Sequence, residues 1–303
     1  MQASSNIIEG HGVLIGWLIA NQELTLLLVT FGGMLLLLTA EQIWPRRHSG
    51  ESQSVRWVNN WLLAAFNFFA LVFATLALSN SAWLPSITPQ TSVFADLPAP
   101  VAFVLLLVAF EAVNYVQHRL FHAVPWLWRV HAVHHSDPWV DVTTSHRHHL
   151  IEVLITNAVM LPLVLLAGVP VTLFVIAMLT RLAIILVNHS NLAVPRWLDT
   201  VLRPFVVTPD FHRIHHSSEQ ALTDSNFGTV LPLFDYLFGS ARSVPWQAQG
   251  GLRCGLHAWR EPGDSRLDKL LMLPLMWQAA EAGQAEPAIT AKPPADPAQS
   301  TAK

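Results

Sequence analysis

Long apolar runs restrict this chain more than any other feature, because in a bilayer a segment of about 20 apolar residues satisfies its own backbone only as a helix. Three such runs lie at Val13–Leu38, Trp57–Leu78 and Pro100–Val116. A fourth region, Leu150–Val187, exceeds one crossing and is interrupted by Pro162, Gly168 and Pro170, so it is expected to enter and return as a helical hairpin. Hydrophobic residues make up 52% of the chain and charged residues 12%, against about 25% charged in soluble domains. A large soluble core of buried helices is the competing reading; three separate runs of spanning length disfavour it. The expected fold is an all-α integral membrane bundle of about four spanning or hairpin helices.

Orientation follows from the basic residues, since short cytoplasmic loops carry an excess of Lys and Arg. The first 45 residues have none, whereas Arg46, Arg47 and Arg56 crowd the first connection. The second connection, Ser79–Ala99, has no basic residue. Arg119, Arg129 and Arg147 follow the third run, and Arg196, Arg203 and Arg213 follow the hairpin. The amino terminus and the Ser79–Ala99 loop are thus expected outside, with everything after the third run facing the cytoplasm. The first run lacks the charged n-region and cleavage site of a secretory signal and reads as a retained anchor.

Several function classes are excluded. The single cysteine, Cys254, leaves no disulfide framework, thiolate zinc site or iron–sulfur cluster held by this chain alone. A net charge of −3 with dispersed basic residues gives no nucleic-acid footprint. There is no phosphate loop, no G-x-G-x-x-G, no nucleophile elbow and no internal repeat. Residues 283–303 are poor in bulky apolar side chains and are expected to form a disordered tail after a single domain, 1–282.

The chemistry lies in the histidines. Twelve of 15 fall between His118 and His216, as His118-x-x-x-His122, His131-x-x-His134-His135 and His212-x-x-His215-His216. Gaps of three and four return a helix to one face, so each cluster can aim several ring nitrogens at one point, and together they could hold two ions. Imidazole suits iron, zinc, copper or nickel and not magnesium or calcium. Unmetallated, adjacent histidines are mutually repulsive when protonated and costly when buried without partners. His11, His48 and His257 stand alone and read as structural or interfacial. His189, in Asn188-His189-Ser190-Asn191, can be a ligand or a helix-end residue. His149 competes for a place with His146 and His148. Glu111, Asp137, Asp141, Glu152, Asp210, Asp224 and Asp235 are candidate carboxylate partners for the rings, or else caps and surface charges. Trp44, Trp57, Trp61 and Trp83 read as an interfacial belt.

These boxes, with the Trp128–Ser136 run, Arg147-His148-His149-Leu150-Ile151-Glu152, Asn188–Leu192, Asp224–Gly228 and Phe234–Gly239, resemble the fatty acid hydroxylase/sterol desaturase superfamily of membrane diiron oxygenases. The resemblance covers roughly residues 36–240. It implies a membrane anchor carrying a cytosolic helical cap and a dimetal centre bound by His118, His122, His131, His134, His135, His212, His215 and His216, with His149 and His189 matching further histidines. Glu111 stands where many members have Asp, and Leu150 where Pro is common. It also implies two Fe ions, with zinc possible as purified, and O2 as co-substrate.

Attack on an unactivated C–H bond needs an oxidant that no side chain supplies, which fits a metal centre. The implied reaction is hydroxylation, or else desaturation or ether cleavage, of a lipid or sterol-like molecule in the bilayer. Electrons must come from a separate ferredoxin, flavoprotein reductase or b-type cytochrome. The alternatives are a metal transporter, disfavoured because Glu111 and Arg181 are the exceptions in nearly nonpolar spans, and a structural metal-binding membrane protein. A short, arginine-rich chain without a carboxy-terminal retrieval signal points to a bacterial inner membrane.

Overall fold

The structure, a computed structural model, describes residues 16–17, 20–49, 52–80 and 91–281. Among these residues the chain is helical, with no strand and two isolated β-bridges, Pro45 to Leu192 and Ser217 to Cys254. Helix α1, Gln22–Leu27, runs through a π-helical turn at Leu28–Gly32 into α2, Gly33–Ile43. There follow α3, Ser54–Ser79, and α4, Ala99–Ala123; α5, Pro125–His135, starts after a single extended residue, Val124, with Pro125 at its first position. Helices α6, Leu150–Leu166, and α7, Val171–His189, form the expected hairpin. Short helices α8, Arg196–Leu202, α9, Pro209–His215, α10, Gln220–Thr223, and α11, Leu233–Leu237, lead to α12, Leu267–Glu281.

Among the described residues, four helical stretches are long and apolar enough to cross a membrane: Leu24–Ile43, Ser54–Leu78, Ala99–Ala123 and Val171–His189. The chain is an integral membrane protein. Outward side chains such as Leu36 (71% exposed) and Phe73 (69%) remain uncovered by protein, as a lipid-facing surface requires. The hairpin turns at Gly168, whose φ of 60° is left-handed, and at Pro170, the residue that caps α7. Pro162 lies within α6 without ending it.

Two boundaries differ from the sequence reading, for identifiable reasons. The first apolar run ends at Leu38, yet α2 continues to Ile43 because Glu41 is buried. Its Oε1 accepts the Val142 N–H at 3.0 Å and the Asn191 N–H at 2.8 Å. The part of that run before residue 16, and the 283–303 tail, lie outside the described residues. The third run ends at Val116, but α4 continues to Ala123 and carries His118 and His122 on the same helix.

Two apolar clusters fix the helices around the histidines. Within the spans, Leu106, Leu107 and Phe110 of α4 pack on Val164 of α6 and Ala177 of α7. Near the end of α4 that carries the histidines, Ala132 and Val133 of α5 pack on Leu63 of α3 and on Leu270, Leu273 and Trp277 of α12. Burying a Leu or Val side chain contributes about 1.5–3 kcal/mol. The α5–α12 contact therefore turns the opposite face of α5, with its three histidines, inward.

Candidate metal centre

Helix α5 presents His131, His134 and His135, all 2% exposed, and the C-terminal part of α9 presents His212, His215 and His216. Thr208 caps α9, accepting the Phe211 N–H at 3.3 Å, and Pro209 occupies its first turn. Each H-x-x-H-H box is split between two groups. His131 and His135 join His118, His122 and His215 in one; His212 and His216 join His134 and His189 in the other. Within each group, one ligand atom of every residue lies within 4.8 Å of the rest. The split follows from helical spacing: residues four apart share a face, and the third, three from the first, is displaced toward the neighbouring group. The groups adjoin, with the His135 and His216 rings stacked at 4.8 Å.

Most outward-facing ring nitrogens are held by acceptors. His118 Nδ1 donates to the Phe227 carbonyl (2.7 Å), His215 Nδ1 to that of Ser225 (2.7 Å) and His189 Nδ1 to that of Ile185 (2.8 Å). His122 Nδ1 faces Asp224 at 3.0 Å, and His131 Nδ1 donates to Glu152 at 2.8 Å. A neutral ring protonated on Nδ1 has a bare Nε2. Yet the bare Nε2 atoms of His118 and His131 meet at 3.1 Å; in the other group, where Nδ1 of His134, His212 and His216 has no partner, the Nε2 atoms meet at 3.3 Å for His134 and His189, 3.0 Å for His189 and His212, and 3.2 Å for His212 and His216. Nε2 of His122, His135 and His215 is buried without a partner. Burial, and then neighbouring imidazoles, hold His134, His135, His212 and His216 well below the ordinary histidine range; His215 is pushed down to about 3, with burial again the largest cause. Charging the rings is therefore disfavoured, whereas metal cations would use the inward nitrogens that the fold brings together. Around an ion held at about 2.1 Å, two nitrogens can be at most about 4.2 Å apart, close to the size of these groups. The donor set fits two transition-metal ions.

Nine of the ten histidines singled out from the sequence come together here. His149 does not. Its Nδ1 caps α6 by accepting the Ile151 N–H at 3.2 Å, and its Nε2 lies 3.2 Å from the Leu271 carbonyl, so both nitrogens are committed elsewhere. The neighbouring His148 takes the place next to the site, stacked on His134 at 4.2 Å with Nδ1 2.9 Å from Glu152. Its four-residue spacing from Glu152 was the available signal. The carbonyls of Ser225 and Phe227 carry no signal in side-chain identity.

Of the seven acids, Glu152 and Asp224 contact histidines directly. The others hold the scaffold. Glu111 accepts the backbone N–H groups of Thr229 (2.7 Å) and Val230 (3.0 Å), and Asp235 those of Phe227 (2.9 Å) and Gly228 (2.7 Å), which positions the carbonyl facing His118. A Cβ at Gly228 would sit 2.7 Å from the Leu231 carbonyl oxygen, so this loop requires glycine. Asp210 pairs with Arg46 (3.1 Å) and Arg213, while Asp137 and Asp141 pair with Arg56. Trp57, read as interfacial, donates its indole N–H to Asp141 at 2.8 Å.

Fold and site define a helical membrane protein with a buried, two-group histidine centre. Residues 103–240, which contain all three boxes, match the Fatty acid hydroxylase family. Curated relatives lie in the same superfamily. Over 150 residues the chain is 37% identical to the ornithine lipid hydroxylase OlsE of Rhizobium tropici, covering 48% of this chain and 44% of that protein. Alkylglycerol monooxygenase of Danio rerio is 29% identical over 157 residues, 48% of this chain and 32% of its own. The very-long-chain aldehyde decarbonylase GL1-1 of Oryza sativa subsp. japonica is 30% identical over 164 residues, 52% and 26%. The chain thus spans less than half the length of each of these relatives. No solved structure gives a significant match.

Proposed function

We propose that this protein is a membrane lipid hydroxylase whose two histidine groups hold two iron ions and which uses O2 and external electrons to oxidise a C–H bond of an apolar substrate. The observation that carries the reading is the pair of adjoining groups of buried imidazoles whose Nε2 atoms face inward onto one another. When bound, the metal pair supplies the oxidising power that side chains lack. The chain supplies the rest. Phe227, Ser225, Ile185, Asp224 and Glu152 lock ring orientations and tautomers, and burial excludes water from the reacting region.

A cavity of about 240 Å³ runs from His118, His131, His134, His189 and His212 into the space between α4, α6 and α7. Substrate entering there comes from the bilayer. The names of the relatives, a lipid hydroxylase and a lipid monooxygenase, support hydroxylation over desaturation. The arginine distribution supports a site facing the cytoplasm of a bacterial inner membrane, where a ferredoxin, flavoprotein reductase or b-type cytochrome docks.

The test is lipid mass spectrometry on host cells expressing the intact chain or His135→Ala. A lipid that gains one oxygen with the intact chain alone supports the proposal; loss of two hydrogens makes it a desaturase. Indistinguishable profiles, together with purified protein that holds zinc and no iron, replace it with a structural metal site.

A further inference from the structure

The cavity beside the histidines is lined by polar side chains at the depth of the spanning helices. Asn114 and Gln117 line it from α4, Thr156 and Asn157 from α6, and Arg181 from α7. Each lies on a helical stripe that leads to the site: Asn114 is four residues before His118, and Arg181 eight before His189, or about 6 and 12 Å along the axis. Polar groups at such positions are costly and persist where they serve a function.

Several have no partner inside the protein. Gln117 is 9% exposed, and neither its Oε1 nor its Nε2 makes a hydrogen bond; Asn114 Nδ2 is likewise buried and unpartnered. Arg181 Nη1 makes no hydrogen bond, lying 3.9 Å from a Glu111 carboxylate that is already committed to the backbone of Thr229 and Val230. Its guanidinium sits over the Phe110 ring at 5.4 Å. The cavity therefore offers three free donors and one free acceptor. With Glu111 offsetting Arg181, it offers no excess positive charge.

We infer that this cavity is a recognition subsite for the uncharged polar linkage of a lipid, a carbonyl or ether oxygen with an adjoining N–H or O–H. The oxygen accepts from donors among Asn114 Nδ2, Gln117 Nε2 and Arg181; the N–H or O–H donates to Gln117 Oε1. The polar lining and the histidines share this one cavity of about 240 Å³. The reacting carbon then lies within a few bonds of the linkage, and a plain hydrocarbon chain leaves the polar lining unsatisfied. Naming this ligand a substrate rests on the hydroxylase reading; the binding chemistry does not.

The experiment measures binding without turnover, on the full-length metal-loaded protein in nanodiscs kept free of oxygen. The probes are N-methyldodecanamide, dodecane and dodecanoate, quantified by mass spectrometry of retained ligand. The amide is expected to bind at least 10-fold more tightly than either of the others. Gln117→Met, which keeps volume and removes both polar atoms, and Asn114→Leu are each expected to reduce that preference about 10-fold, with metal content and thermal midpoint reported alongside. Equal retention of amide and dodecane overturns the inference, as does tightest binding of dodecanoate, which marks an anion site. If either variant loses metal or unfolds, the wild-type preference among the three probes decides. Selective binding without any oxidised lipid in cells would leave the subsite standing and remove the hydroxylase reading.

Discussion

Glu152 accepts from two imidazoles at once, His131 at 2.8 Å and His148 at 2.9 Å, and so fixes the orientation of a ring in the five-histidine group and of one stacked on the other group. Carboxylates in this position typically contribute 10–100-fold to metal affinity, so Glu152→Gln is expected to reduce bound metal at limiting iron by a factor in that range. His149→Ala is expected to leave metal content unchanged and to cost about 0.5–2 kcal/mol through the lost α6 cap. Elemental analysis and thermal melts of the two variants separate the roles; loss of metal from His149→Ala would return that residue to the site. The sequence could not rank His146, His148 and His149, because the choice depends on where α6 begins. Starting the helix at Leu150 makes His149 its cap and leaves His148 one turn from Glu152. The boxed histidines were legible because their spacing brings them to one side of a helix; that spacing also splits each box, but which histidines of other helices complete each group depends on how α4, α5, α7 and α9 converge.

At the scale of elements, the loop between α5 and α6 is held by the start of α3. Arg56 donates to Asp137 (2.9 Å) and to Asp141, and Asn60 donates to Thr143 Oγ1 at 2.9 Å. Arg147, fully buried and pushed down to about 10 chiefly by desolvation, donates to the Val133 carbonyl, Asn60 and Ser136. Asp137 is held at about 2: burial opposes its ionisation, and the charges of Arg56 and Arg147 overcome that penalty. Removing one member leaves buried charge uncompensated, so Arg56→Met is expected to cost about 3–5 kcal/mol and to lower the thermal midpoint without touching a histidine. A loss below 1 kcal/mol would mean that water reaches these carboxylates. The apolar runs revealed the spanning helices but missed two of their ends, at Glu41 and beyond Val116. In both cases a polar residue that ends a hydropathy run is satisfied by a distant loop: Glu41 by residues 142 and 191, and His118 by the Phe227 carbonyl.

For the whole molecule, orientation and pH response are the consequences to test. α4 is 25 residues long, about 37 Å, and carries its amino-terminal loop at one end and the histidines at the other. Cys254 is fully buried and should be silent to a membrane-impermeant maleimide, so Ala95→Cys and His257→Cys, both at exposed positions, report one end each. In intact cells Ala95→Cys is expected to label and His257→Cys to label after lysis only; the reverse pattern inverts the topology. The pH response follows from the depressed histidines. In the metal-free fold His215 titrates near 3, and His134, His135, His212 and His216 also lie well below the usual 6.5, whereas the unfolded chain takes up protons near 6.5. Between these limits the unfolded state binds more protons, so the stability present above pH 6.5 is lost as pH falls toward 3. Each imidazole contributes up to about 1.4 kcal/mol per pH unit, and several together over one to two units rival the about 5–15 kcal/mol that holds a typical domain together. Metal-free protein should therefore show a steep fall in thermal midpoint between pH 6.5 and 5, while the metal-loaded form, whose ligand nitrogens are already occupied, resists acid further and then releases metal with the uptake of several protons. A flat midpoint from pH 7 to 5 in the metal-free form would mean that these rings are solvated in the fold, and the lone-pair argument for two cations would fail with it.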